Sequence, residues 1–149
     1  ALGEAYLRLG RYKEAIIQFV EVLKINPVST KTRNFLGVAY ASLKKYVEAE
    51  KQFTAALKKD PEFLNAHLNL ARLYEIKGDY AKALKQYRKA LENSADIHDK
   101  AVLFIRIGDA YLKMGSGLGA KSSYQKALDI AGKDSELIKK IAEGKLKEA

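Results

Sequence analysis

Apolar residues recur three and four positions apart through most of the chain, the spacing of a helix that is buried on one face. Leu2, Tyr6 and Leu9 make one such stripe, which Gly10 ends. Ala15, Phe19 and Val22 make the next, which Pro27 stops, because proline has no amide hydrogen and cannot continue a helix. The same pair of stripes then returns from Leu36 to Pro61, from Leu70 to Ala95 and from Ile107 to Gly132. A last helical segment, Ser135 to Ala149, carries Leu137, Ile138, Ile141 and Leu146, with Asp134 or Ser135 in position to cap it.

The stripes keep register. Tyr6, Tyr40 and Tyr74 lie 34 residues apart, and so do Phe19, Phe53 and Tyr87, and Tyr12, Tyr46 and Tyr80. A fixed period of this length marks stacked copies of one supersecondary unit. Tyr111 follows Tyr74 by 37 residues, which places an insertion in the polar stretch Asn93–Asp99. The expected division of the single array 1–149 is about 1–29, 30–63, 64–100 and 101–134, with a terminal helix over 135–149. Lys145 takes the tyrosine slot of that last helix, giving the polar cover that the end of an array needs. The first unit opens in mid-helix. This predicts either further repeats upstream or a contact that buries an apolar edge formed by Leu2, Tyr6, Ile16 and Val20. In the fourth unit, Gly117 replaces the tyrosine of the 12/46/80 slot. Together with Gly115 and Gly119 it predicts a loose turn, since a helical glycine costs about 0.5–1 kcal/mol relative to alanine.

Leu36, Gly37, Tyr40, Ala49, Phe53, Ala56 and Pro61 carry a recognisable signature: Leu-Gly-x-x-Tyr in a first helix, then alanine, aromatic, alanine and proline in a second. In this the chain resembles the tetratricopeptide repeat (TPR) family. The resemblance runs from Ala1 to about Asp134, with Ala71 in the glycine slot and Ala95 in the proline slot of the third unit. It implies an all-α, right-handed superhelical solenoid of helix–turn–helix repeats with a C-terminal capping helix. It also implies that the first helix of each unit lines a concave surface that binds a peptide or protein segment.

Projected on the family register, the positions that the core does not need form a candidate groove. It comprises Lys31, Asn34 and Val38 in the second unit, Asn65, Asn69 and Arg72 in the third, and Arg106 and Asp109 in the fourth. Asparagine amides can bond a peptide backbone and arginine can take a carboxylate bidentately, so an acidic segment suits them. The family's carboxylate clamp for chaperone C-termini is matched at Asn69 and Arg106 only. Asn34, Val38 and Val102 depart from it.

The net charge of +9 agrees with an acidic partner, and lysines concentrate on the second helices, at Lys51, Lys58, Lys59, Lys82, Lys85, Lys89, Lys121 and Lys126. They raise two alternatives: an adaptor for an anionic polymer or membrane surface, and a scaffold that associates with itself through its N-terminal end. Nucleic acid is disfavoured, because the aromatic residues are taken by repeat slots, with Phe35 and Phe63 left over. Without cysteine and with two histidines, the chain offers no catalytic constellation, and it calls for no metal or cofactor. His67 falls in a packing slot, and Asp96, His98 and Asp99 read as a fortuitous polar loop. No apolar run approaches a membrane span. A cytoplasmic location is slightly favoured, with any targeting segment upstream of Ala1 left open.

Overall fold

The computed structural model describes residues 2–131 and 135–149. Among the described residues there are nine α-helices and no strand: α1 (Leu2–Arg8), α2 (Tyr12–Ile25), α3 (Thr30–Ser42), α4 (Tyr46–Lys59), α5 (Leu64–Ile76), α6 (Tyr80–Asn93), α7 (Ile97–Lys113), α8 (Gly117–Ile130) and α9 (Glu136–Glu148). The chain divides into two compact units, Ala1–Leu73 and Tyr74–Ala149.

The turn inside each helix pair is built four times in one way. The amides of Arg11, Lys45, Asp79 and Ser116 donate to the carbonyls of Tyr6, Tyr40, Tyr74 and Tyr111, each at 2.9 Å. The amides one residue earlier donate three residues back, from Gly10 to Leu7 and from Gly115 to Leu112 for example. This is the Schellman termination, and it needs one residue in the left-handed region. Gly10, Gly78 and Gly115 fill that place at φ of 71°, 75° and 77°, and Lys44 fills it at 59°. Gly115 therefore takes the left-handed place of its turn, as Gly10 and Gly78 do. Gly119 is also held: a Cβ there would stand 2.7 Å from Cδ1 of Tyr111.

Four helix starts carry side-chain caps, whereas α2 and α4 begin without one. Ser29 accepts from the Thr32 amide (3.3 Å), Asp79 from Lys82 (3.2 Å), Asp96 from Asp99 (2.9 Å) and Ser116 from Gly119 (3.4 Å). The Asp96 cap corrects the expected insertion loop. α7 has 17 residues where α3 and α5 have 13. The extra residues extend α7 by a turn at its N-terminus, because Asp96 satisfies an amide that a helix start otherwise leaves open. At α9, Ser135 makes no capping bond through its side chain. Asp134, the other expected cap, lies outside the described residues, as does Gly132.

In the first unit the core gathers Ala15, Phe19, Leu36 and Ala39. Glycine lets the two helices of a pair close on an aromatic ring. A Cβ on Gly3 would fall 2.6 Å from Cε1 of Phe19, and one on Gly37 would fall 2.5 Å from Cε1 of Phe53. Tyr6, Ile16 and Val20, expected at an open edge, are half-buried against this core, because α2 and α3 share it; Leu2 stays exposed. Phe35 is not spare either: it stacks on Phe19 with centroids 5.7 Å apart. His67 is buried, with Nε2 2.8 Å from the Pro61 carbonyl.

The second unit has its own core of Ala101, Ile105, Ala120, Tyr124, Ala127, Ala131, Ile138 and Ala142. Gly108 faces Tyr124 as Gly37 faces Phe53, with the ring 2.3 Å from where a Cβ would be. α9 joins this core through Ile138 and Ala142.

Candidate peptide-binding surface

The expected groove residues fall on the first helices of the pairs, at spacings that put them on one face of each: 31, 34 and 38 on α3, 65, 69 and 72 on α5, 106 and 109 on α7.

In the first unit, Lys31 is exposed, with Nζ 3.9 Å from a Glu4 carboxylate oxygen and 5.5 Å from the centre of the Phe35 ring. Asn34 is buried, and its Oδ1 accepts from Nδ2 of Asn69 at 2.9 Å. Asn34 thus orients Asn69 and does not face solvent itself, because the amide of the next first helix lies against it. Val38 and Asn69 are half-buried, and Asn65 and Arg72 are exposed.

In the second unit, Arg106 and Asp109 line one open cavity of about 550 Å³, shared with Glu75, Tyr80, Lys113 and Lys145. Oδ1 of Asp109 accepts from the Tyr124 hydroxyl at 2.8 Å and from Nζ of Lys145 at 2.6 Å. Glu75 accepts from the Tyr87 hydroxyl at 2.9 Å. Both carboxylates of the cavity are therefore engaged, whereas Arg106 and Lys113 are exposed and form no ion pair with the described residues. The cavity carries a net positive field, which favours an anionic guest. Burial pushes the Tyr124 phenol well above its usual range, and the hydrogen bond to Asp109 adds to the shift.

Lys145 and Tyr80 are members of this cavity that sequence reasoning did not place there. The available signal for Lys145 was its position 34 residues after Tyr111, which aligns α9 with a first helix. Asp96, His98 and Asp99 do not assemble into a ligand set: Asp96 caps α7, and His98 Nδ1 lies 3.4 Å from Ser135 Oγ. No cluster of three or more metal-ligating side chains occurs among the described residues.

The repeated turn, the glycine–aromatic contact and the 34-residue register coincide with three matches to tetratricopeptide repeat models, over residues 1–27, 36–96 and 101–134. The chain belongs to the tetratricopeptide repeat family. Its fold class is the all-α TPR solenoid, and as a TPR protein it is a protein–protein interaction scaffold. Proteins of this fold are in general not enzymes. No curated protein matches the sequence. Among solved structures the chain is similar to MamA, with a TM-score of 0.78 and 18% identity over 99% of this chain and 92% of that one. It is also similar to BtubC from P. vanneervenii (TM-score 0.78, 24% identity, 87% of this chain and 60% of that one). A third is TTC0263, a thermophilic TPR protein in Thermus thermophilus (TM-score 0.76, 22% identity, 98% of this chain and 78% of that one). Identities at this level speak for the fold alone. No helix among the described residues is long and apolar enough to cross a membrane.

Proposed function

We propose that the first helices of the TPR pairs bind an extended, acidic peptide segment of a partner protein. The observation that carries this reading is the α7 cavity, where Arg106 and Lys113 stand exposed while the two carboxylates present are already engaged. An incoming carboxylate finds two cations there without having to displace an existing partner, and charge-assisted bonds are the stronger kind. In the first unit, Arg72 and the oriented amide of Asn69 offer the same chemistry to a peptide backbone and its acidic side chains.

The test uses peptides selected from a random displayed library on the whole chain, then titrated calorimetrically against variants. Selected peptides should be rich in Asp and Glu. Arg72→Ala with Arg106→Ala should weaken them by about tenfold or more, since one lost charge-assisted contact is worth roughly 1.5–3 kcal/mol. Helicity should not change, because both side chains are exposed. Equal affinity of the double variant would refute the assignment.

A further inference from the structure

A second cavity lies in the same compact unit and uses none of the residues of the first. It occupies about 310 Å³ between α6, α7 and α8. Phe104, Ile107 and Tyr111 form its floor, and Arg88 and Lys126 stand at its rim. Successive helix residues are turned by about 100°, so the floor positions 104, 107 and 111 look away from 106, 109 and 113 by about 200°. The two cavities therefore lie on opposite faces of α7.

This cavity exists because the fourth repeat departs from the pattern of the others. Ser122 lies on its wall, in the slot that Lys51 and Lys85 hold in the second and third repeats. Ser123 stands where those repeats have Gln52 and Gln86, and Gly119 where they have Glu48 and Lys82. Three long side chains are thus replaced by three short ones on consecutive turns of α8. The Ser123 hydroxyl is turned back to the Gly119 carbonyl at 2.8 Å, which keeps it off the cavity floor. Among the described residues no carboxylate lines it, so the charge they place at the opening has one sign. Arg88 donates to the Tyr111 hydroxyl and Lys126 lies 5.9 Å above the Phe104 ring, so both cations are held at the rim of an aromatic floor.

We infer that this cleft is a second docking site, for a partner segment that sets a large apolar side chain beside an acidic one. The apolar side chain fills the space vacated on α8 and covers Phe104 and Ile107. The carboxylate reaches Arg88 and Lys126. The volume suits one large side chain with its neighbour, at the lower end of ligand cavities. The site is independent of the α7 cavity on the other face, so a TPR array of this kind can hold two segments at once.

The probe is the blocked peptide acetyl-Gly-Phe-Glu-Gly-amide, titrated into the ¹⁵N-labelled whole chain. Saturable shifts are expected at the amides of Tyr111, Ser122 and Ser123, with comparators carrying Gln for Glu or Gly for Phe binding about tenfold more weakly. Arg88→Gln with Lys126→Gln should lower affinity by a similar factor. Ser122→Lys should fold, since two other repeats carry lysine in that slot, and should weaken binding by closing the cleft although it adds positive charge. Tighter binding by Ser122→Lys would reduce the site to unspecific charge and overturn the inference. So would shifts centred on Arg106 and Lys113, an absence of saturable shifts, or an oligonucleotide that competes as well as the peptide.

Discussion

The Tyr124 hydroxyl donates to Asp109 across 2.8 Å, linking the buried aromatic slot of a second helix to the exposed face of the first. The same slot holds Phe19 and Phe53 in the first unit and Tyr87 and Tyr124 in the second. Tyr87 likewise reaches a carboxylate, that of Glu75. In these two repeats the slot carries a hydroxyl, and each hydroxyl has a carboxylate partner. A buried phenol without such a partner would cost free energy.

Tyr124→Phe should therefore destabilise the fold by about 1 kcal/mol, because Asp109 keeps Lys145 as a partner. The phenol is also raised in pKa, so its contribution is fully present below about pH 10 and is lost as pH climbs beyond that value. Spectrophotometric titration should show one fewer late-ionising tyrosine in the variant than in the wild type. An unchanged titration would contradict the assignment.

Gly37→Ala and Gly108→Ala should each cost about 1–3 kcal/mol, although alanine is the better helix former. The added methyl meets the ring of Phe53 at 2.5 Å in one case and that of Tyr124 at 2.3 Å in the other. Thermal unfolding of both variants measures the effect. A rise in midpoint would show that the rings can yield.

Lys44 holds a left-handed conformation at φ 59°, in the place where the other turns have glycine. Lys44→Gly should stabilise the protein by about 1 kcal/mol, the cost of that conformation for a residue with a Cβ. Chemical denaturation is the measurement, and no gain would mean that the lysine turn is unstrained.

Gly117 begins α8 where Tyr12, Tyr46 and Tyr80 begin α2, α4 and α6. Without that side chain to anchor the first turn, amide exchange should be faster over 112–122 than over the matching stretch 41–51. Mass-resolved hydrogen exchange can compare the two directly. Equal protection would show that the Ser116 cap compensates.

Asp109→Asn combined with Lys145→Ala in a double-mutant cycle should give a coupling of about 0.2–1 kcal/mol, as the pair is partly exposed. A coupling near zero would leave the apolar contacts of α9, Ile138, Ala142 and Leu146 among them, to hold it.

Helix pairs, their register and the TPR family could be read from the sequence, because each rests on local periodicity: apolar residues at helical spacing, small residues facing aromatic ones, and one interval repeated. The residues of the α7 surface could be projected from the same register. Their states could not. Asn34 is buried because Asn69, on another helix, donates to it, and Asp109 is neutralised by Lys145, 36 residues away. The three added residues lengthened α7 because the Asp96 side chain found an open amide at 2.9 Å, whereas composition alone favoured a loop. The cleft over Phe104 needed the short side chains of α8 to stand beside Arg88 of α6. Periodicity determines which face of a helix is buried, but the partner of each polar group on the other face depends on which helices are brought alongside, and only tertiary structure decided that.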